Sequence, residues 1–144
     1  MSDQTMRAGD VVHLALPATT AYVGVARSLA AGMATRLDLD LDHVEDLRLA
    51  ISEACAVLLP EAAPAAPLDL VVEVGEAGLV VTLSVPTSGT PTPPGPDSFA
   101  WTVLRALADE VDSAHVDGRT SIRLQFTAGG DPVVLDGARG SDGA

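Results

Sequence analysis

The sequence predicts an α+β domain, a two-layer α/β sandwich in which helices cover one face of a mostly antiparallel sheet. Three observations lead there. Apolar residues alternate with period two in four short segments, which therefore read as strands. Three longer segments repeat apolar residues every three or four positions and read as amphipathic helices. Two of the strands, Leu68–Val74 and Leu79–Val85, are separated only by Gly75-Glu76-Ala77-Gly78, a hairpin connection that makes them antiparallel neighbours. The resulting order, β-α-α-β-β-loop-α-β, occupies a single domain over residues 11–135. It lies between a flexible tail at 1–10 and a disordered tail at 136–144 that ends GARGSDGA.

Each element has its own justification. Val11–Leu16 alternates as a short strand that Pro17 stops. Thr19 or Thr20 is placed to cap a first helix, on which Tyr22, Ala26, Leu29, Met33 and Leu37 share one face. That helix ends in LDLDLD. A second opens at Asp42, where Asp42 and Glu45 have capping-box-like spacing and an acid favours the positive end of the helix dipole. Its core stripe is Val44, Leu47, Ile51, Ala54 or Cys55, and Leu58, and Pro60 with EAAPAAP ends it. After the hairpin, PTSGTPTPPGP from Pro86 to Pro96 is a Pro-stiffened loop. A third helix runs from Ser98 to Val111 with Phe99, Val103, Leu107 and Val111 stacked. Asp117-Gly118 marks a turn, Thr120–Thr127 is a strand, and Pro132–Leu135 is a candidate for one more.

Composition bounds function. The 144 residues are 47% hydrophobic and 19% charged, as a globular domain requires, but only 3% aromatic, so Val, Leu, Ala and Ile must build the core. The net charge of −12, with every basic residue an Arg, opposes direct nucleic-acid or anionic-membrane binding and suits a basic protein partner. No apolar run approaches the ~18 residues of a membrane span, and the polar opening MSDQTMRAGD lacks a signal peptide's apolar core, so a cytoplasmic location is expected. Cys55, the only cysteine, reads as a small core residue. Asp38, Asp40 and Asp42 begin like an EF-hand loop, but His43 takes the glycine position and Leu49 the place of the bidentate Glu. His13, His43 and His115 have no zinc-ligand spacing, and Ser88-Gly89 lacks the glycine of a nucleophile elbow.

Three segments carry a resemblance. LALPATTAYVGVARSLAAGM is similar to the opening strand and helix of anti-sigma factors of the RsbW/SpoIIAB type, a branch of the GHKL (Bergerat) ATPases. VEDLRLAISEAC resembles their N-box helix, and SFAWTVLRALADEVD followed by GRTSIRL resembles their last helix and strand. The resemblance covers most of residues 11–127. It implies a GHKL-type sandwich and a protein that sequesters a sigma factor, is released by an anti-anti-sigma partner of the STAS fold, and forms a homodimer. In active members it also implies ATP-dependent phosphorylation of a serine on the STAS partner.

The family's nucleotide machinery is only partly present. In the N box a Glu is followed one turn later by an Asn that ligates Mg²⁺; here Glu53 remains as a candidate general base, but Val57 offers no oxygen to a hard cation. The adenine-binding Asp of the Asp-x-Gly-x-Gly turn has no counterpart, since no acid lies between Leu79 and Pro96 and Pro86 or Thr87 stands near its place. At the phosphate-facing Gly-x-Gly the chain has Ser98, Phe99 and Ala100, where Ser98 also suits a helix cap. Thr120 matches a family Thr that contacts nucleotide. ATP and Mg²⁺ are therefore doubtful cofactors, and the sequence leans away from an enzyme. The alternatives are an active serine kinase, or a non-catalytic scaffold for another protein or ligand. Partner contact is expected at Arg27 on the first helix and at the acidic Asp38, Asp40 and Asp42.

Overall fold

The computed structural model describes residues 5–89, 95 and 97–128. One five-stranded sheet, wholly antiparallel, forms the base, with strands in the spatial order β1-β2-β3-β5-β4. These are β1 (Val11–Pro17), β2 (Pro67–Val74), β3 (Gly78–Pro86), β4 (Glu110–Val116) and β5 (Arg119–Thr127). Three helices, α1 (Val23–Arg36), α2 (Leu41–Leu58) and α3 (Phe99–Leu107), pack on one face. The expected two-layer α+β class is what the chain adopts.

The core forms where strand alternation meets helix stripes. Leu68, Leu70 and Val72 of β2, Leu79, Val81, Leu83 and Val85 of β3, and Ile122, Leu124 and Phe126 of β5 all point to the helical side. Leu47, Ile51, Ala54, Cys55 and Leu58 of α2 meet them. Phe126 is the bulkiest fully buried side chain, and α1 contributes mainly Ala26, Ala30 and Ala34, whose small size lets that helix lie close. Gly78 is obligatory at the β2–β3 turn, because a Cβ there would sit 2.0 Å from the Phe126 carbonyl oxygen.

Several boundaries differ from the sequence reading. No Thr side chain caps α1: Thr19 is extended, a short 3-10 turn covers Thr20–Tyr22, and the helix proper begins at Val23. That tighter turn rotates Tyr22 off the core stripe, leaving it 41% exposed while Val23 takes the inward position. The second helix opens at Leu41 rather than Asp42. Asp40 is its cap, with Oδ1 accepting the His43 amide at 2.8 Å, so the Asp42–Glu45 pair makes no capping box.

The largest departure is β4. The third helix stops at Leu107 rather than Val111, and Ala108 is already extended. Glu110–Val116 then pairs with β5, from Glu110 opposite Gln125 to Val116 opposite Arg119. Asp117 and Gly118 both have positive φ, the signature of a two-residue type I′ turn whose twist suits a hairpin. Phe99, placed on the buried stripe by its spacing, is 81% exposed, and Leu104 is the buried residue of α3 instead. At the amino end, the chain joins the sheet before β1: the Gly9 amide donates to the Val74 carbonyl, and the Val74 amide to the Asp10 carbonyl, both at 2.8 Å. Pro132–Leu135 and the 136–144 tail lie outside the described residues.

Candidate functional site

Thr87 and Thr120, two of the positions the resemblance points to, lie at one end of the sandwich. There the C-terminal half of α2, the end of β3 and the β4–β5 turn meet. Ala62, just past α2, bridges to Thr87, and the Thr87 amide reaches the Gly118 carbonyl at 2.8 Å. Thr120 opposes Val85 across the β3–β5 ladder. Helix α3 runs from Phe99 to Leu107 with Ser98 as its cap, and the Asp109 amide beyond it donates to the Gln125 carbonyl of β5 at 2.9 Å.

The polar groups at this end are already engaged with one another. Ser98 Oγ accepts the Trp101 amide at 3.1 Å and so caps α3. The Thr87 hydroxyl donates to the Gly118 carbonyl at 3.2 Å. Thr120, the one buried polar residue among those described, bonds through Oγ1 to His115 Nδ1 at 3.0 Å. Glu53 is half-buried on α2, and Val57, one turn on, packs against the core. These residues do not fit Mg·ATP. Where the resemblance would put the metal ligand, Val57 presents methyl groups in place of an oxygen, and where it would put the phosphate-facing glycines, Ser98 and Ala100 carry Cβ atoms. His115 was passed over in the sequence because a strand partner for Thr120 could not be placed without β4.

The partner-facing candidates divide into two places. Arg27 lies half-buried across the α1–α2 seam, with Nη1 donating to Ser52 Oγ at 3.1 Å, and Ser52 in turn donates to the Arg48 carbonyl. Asp38, Asp40 and Asp42 sit at the other end of α1, eleven or more residues on, or roughly 16 Å along a helix axis. The structure does not bring them to Arg27. Asp38 and Asp42 are exposed, Asp38 in the left-handed region at φ 62°, whereas the Asp40 carboxylate is occupied by the His43 amide and by His43 Nδ1 at 2.9 Å. The hydrogen bonds from His43 hold the Asp40 carboxyl below its ordinary range. Reciprocally, the bond to Asp40 raises the pKa of His43 against a desolvation cost, with Asp109 and Asp46 adding to the field.

The outward side of the helical layer also exposes Tyr22, Val25 and Leu49, at 41%, 45% and 56%. Val25 and Leu49 were not singled out from the sequence. The available signal was Leu49 itself, a leucine between the stripe positions Leu47 and Ile51 but belonging to neither. Cys55 lies on the buried face of α2, where burial pushes its thiol up to about 11, offset in part by Arg27. Among the described residues no group of three or more His, Cys, Asp or Glu could hold a metal ion, and no helix is long and apolar enough to cross a membrane.

A layer of three helices on one face of a five-stranded antiparallel sheet makes this a two-layer α+β sandwich. In sequence the chain is similar to anti-sigma factors of the RsbW type. It is 42% identical over 108 residues to anti-sigma-F factor RsbW of Mycobacterium tuberculosis, a match covering 75% of this chain and 63% of that protein. It is also 41% identical over 49 residues to serine-protein kinase RsbW of Bacillus licheniformis, covering 34% of this chain and 31% of the kinase. In fold it is similar to a Mycobacterium tuberculosis crystal structure of the RsbU and RsbW domains of Rv1364c, with a TM-score of 0.65 and 16% identity, over 88% of this chain and 35% of that one. No family model matches the chain. The chain spans less than two thirds of the length of these curated relatives, 63% of the first and 31% of the second.

Proposed function

We propose that this protein sequesters a sigma factor through the exposed side of α1 and α2, is released by a STAS-fold partner, and does so without effective phosphotransfer. The single observation that carries this reading is the self-satisfied nucleotide end. Ser98, Thr87 and Thr120 spend their hydroxyls on Trp101, Gly118 and His115, and Val57 stands at the metal position. A site that keeps its polar groups paired internally gains little by trading those bonds for a ligand's. The apolar Tyr22, Val25 and Leu49 remain available to a protein surface, beside Arg27. Sequence kinship to an anti-sigma-F factor supports sigma as the partner class.

The acidic Asp38 and Asp42 add steering for a basic partner, strongest at low ionic strength. A homodimer through β1 and α1 completes the proposal, supported by the exposure of Val11 and Val12 on the sheet's β1 edge. Co-purification of the tagged protein with each sigma factor of its host tests the reading. A one-to-one complex that excludes RNA polymerase core is expected, and failure to retain any sigma factor would leave only a scaffold role.

An active serine kinase is the second reading. It is favoured by the match over 49 residues to a serine-protein kinase RsbW and by Glu53, which stands where the resemblance expects the N-box Glu. Transfer of labelled phosphate from ATP to a STAS protein, abolished by Glu53→Gln, is the result that would establish it.

A further inference from the structure

Strand β4 closes the sheet at the side away from β1, and among the described residues it has a strand neighbour, β5, on one side only. Its sequence, EVDSAHV, has no Lys and no Pro, two common devices that stop an edge from taking another strand. All of its residues but Val111 are exposed. Beside this edge runs a cleft of about 410 Å³ between α3 and β4, with Trp101 and Arg105 on the helix side and Asp109, Glu110 and Val111 on the strand side.

Charge selects the occupant. Asp109, Glu110 and Asp112 follow one another along the rim, and Asp109 lies close enough to His43 to join the acids at the start of α2, Asp40 and Asp46. Arg105 and Arg123 are the nearby cations, and Arg123 is shared with Asp112 at 3.7 Å. Pairing β4 with a second copy of itself would bring two such acidic strands together. A basic strand would be drawn in instead. We propose that the outer edge of β4 and the Trp101 cleft form a docking surface for an extended, basic segment of a protein partner. The segment adds to the sheet as a further strand, with its cationic side chains against Glu110 and Asp112 and an apolar one against Trp101. This surface is separate from the α1–α2 face and does not depend on what that face binds.

The chain has a single tryptophan, so its emission reports on the cleft directly. The probe is a blocked octapeptide of alternating Arg and Val, titrated into the full chain while Trp101 fluorescence and ¹⁵N amide shifts are followed. A second probe has the same sequence with alternate amides N-methylated, which keeps the charge and removes the ladder donors. The expected result is a saturable Trp101 response with shifts confined to Glu110–Val116 and α3. Affinity should fall roughly tenfold for E110K/D112K and for the methylated peptide, since both charge and main-chain pairing are required. Equal binding of the two peptides would overturn the proposal, because charge alone would then suffice. So would shifts centred elsewhere, or no response at millimolar peptide. Contacts from Val133 or Val134 to Trp101 in the free chain would place this protein's own terminus in the cleft, with the same consequence.

Discussion

Leu47 and Leu49 stand two residues apart on α2 and do opposite work, which makes them a direct test of where the core ends and the binding face begins. Leu47 is fully buried and Leu49 is 56% exposed. Leu47→Ala removes buried methyl groups beneath a helix already pinned to the sheet and should cost about 2–5 kcal/mol, a large part of the ~5–15 kcal/mol that holds a domain folded. Leu49→Ala should change stability by no more than about 0.5 kcal/mol, as for an ordinary surface position. Its effect belongs to binding. Complete burial of a leucine is worth roughly 1.5–3 kcal/mol, so the 56% still open to solvent represents about 0.8–1.7 kcal/mol, or a roughly 4- to 18-fold rise in Kd when it is removed. Urea denaturation measures the first quantity, and calorimetric titration with a sigma factor recovered in the co-purification measures the second. Equal destabilisation by the two variants would refute the assigned burial. Unchanged affinity for Leu49→Ala would refute the face.

Further predictions follow from the same geometry. Gly78→Ala should destabilise by about 2 kcal/mol or more, because its Cβ meets the Phe126 carbonyl at 2.0 Å, whereas Gly75→Ala, with its nearest atom at 3.5 Å, should fold nearly as wild type in the same denaturation assay. The raised pKa of His43 means that its contribution is fully present below the unfolded imidazole value and is lost as pH rises through the folded one; the lowered pKa of Asp40 adds stability that is lost as pH falls through its folded value. Thermal melts of the wild type against His43→Gln should therefore differ most on the acidic side of neutrality and converge at higher pH. Cys55, held protonated by burial, should resist an aromatic disulfide reagent at pH 8 in the native protein and react at once in denaturant, and fast labelling of the native state would contradict its burial.

Much of this fold was legible because its periodicities are long and uninterrupted. The β2–β3 hairpin alternates over seven residues on each side of a glycine-bounded turn, and the α2 stripe from Leu47 to Leu58 needs no tertiary help to be seen. Strand β4 was not legible as a strand. Of its core-side residues Val111, Ser113 and His115, only one is apolar, so period two left no hydrophobic trace, while Val103, Leu107 and Val111 imitate a continuing helix. The information was in Asp117-Gly118, since a two-residue turn of that kind demands a paired strand before it as well as after. Capping chemistry misled for a related reason. LDLDLD offers three equivalent aspartates, and the choice of Asp40 depends on His43 answering it three residues later. At the candidate site the comparison of Val57 with an Asn, and of Ser98-Phe99-Ala100 with Gly-x-Gly, needs residue types alone. That Ser98, Thr87 and Thr120 spend their hydroxyls internally could not be read that way, because each partner is set by the three-dimensional register.

The central claim is that the protein acts through its surfaces, with a nucleotide end that no longer serves ATP. Calorimetric titration of the purified protein with Mg·ATP and Mg·ADP tests it most directly, alongside Val57→Asn, which restores an oxygen at the metal position. The account predicts no saturable heat for the wild type at micromolar to millimolar nucleotide, and none for the variant, because Ser98 remains committed to its helix cap and Ala100 keeps its Cβ. Micromolar binding by the wild type would contradict the account and favour the kinase reading.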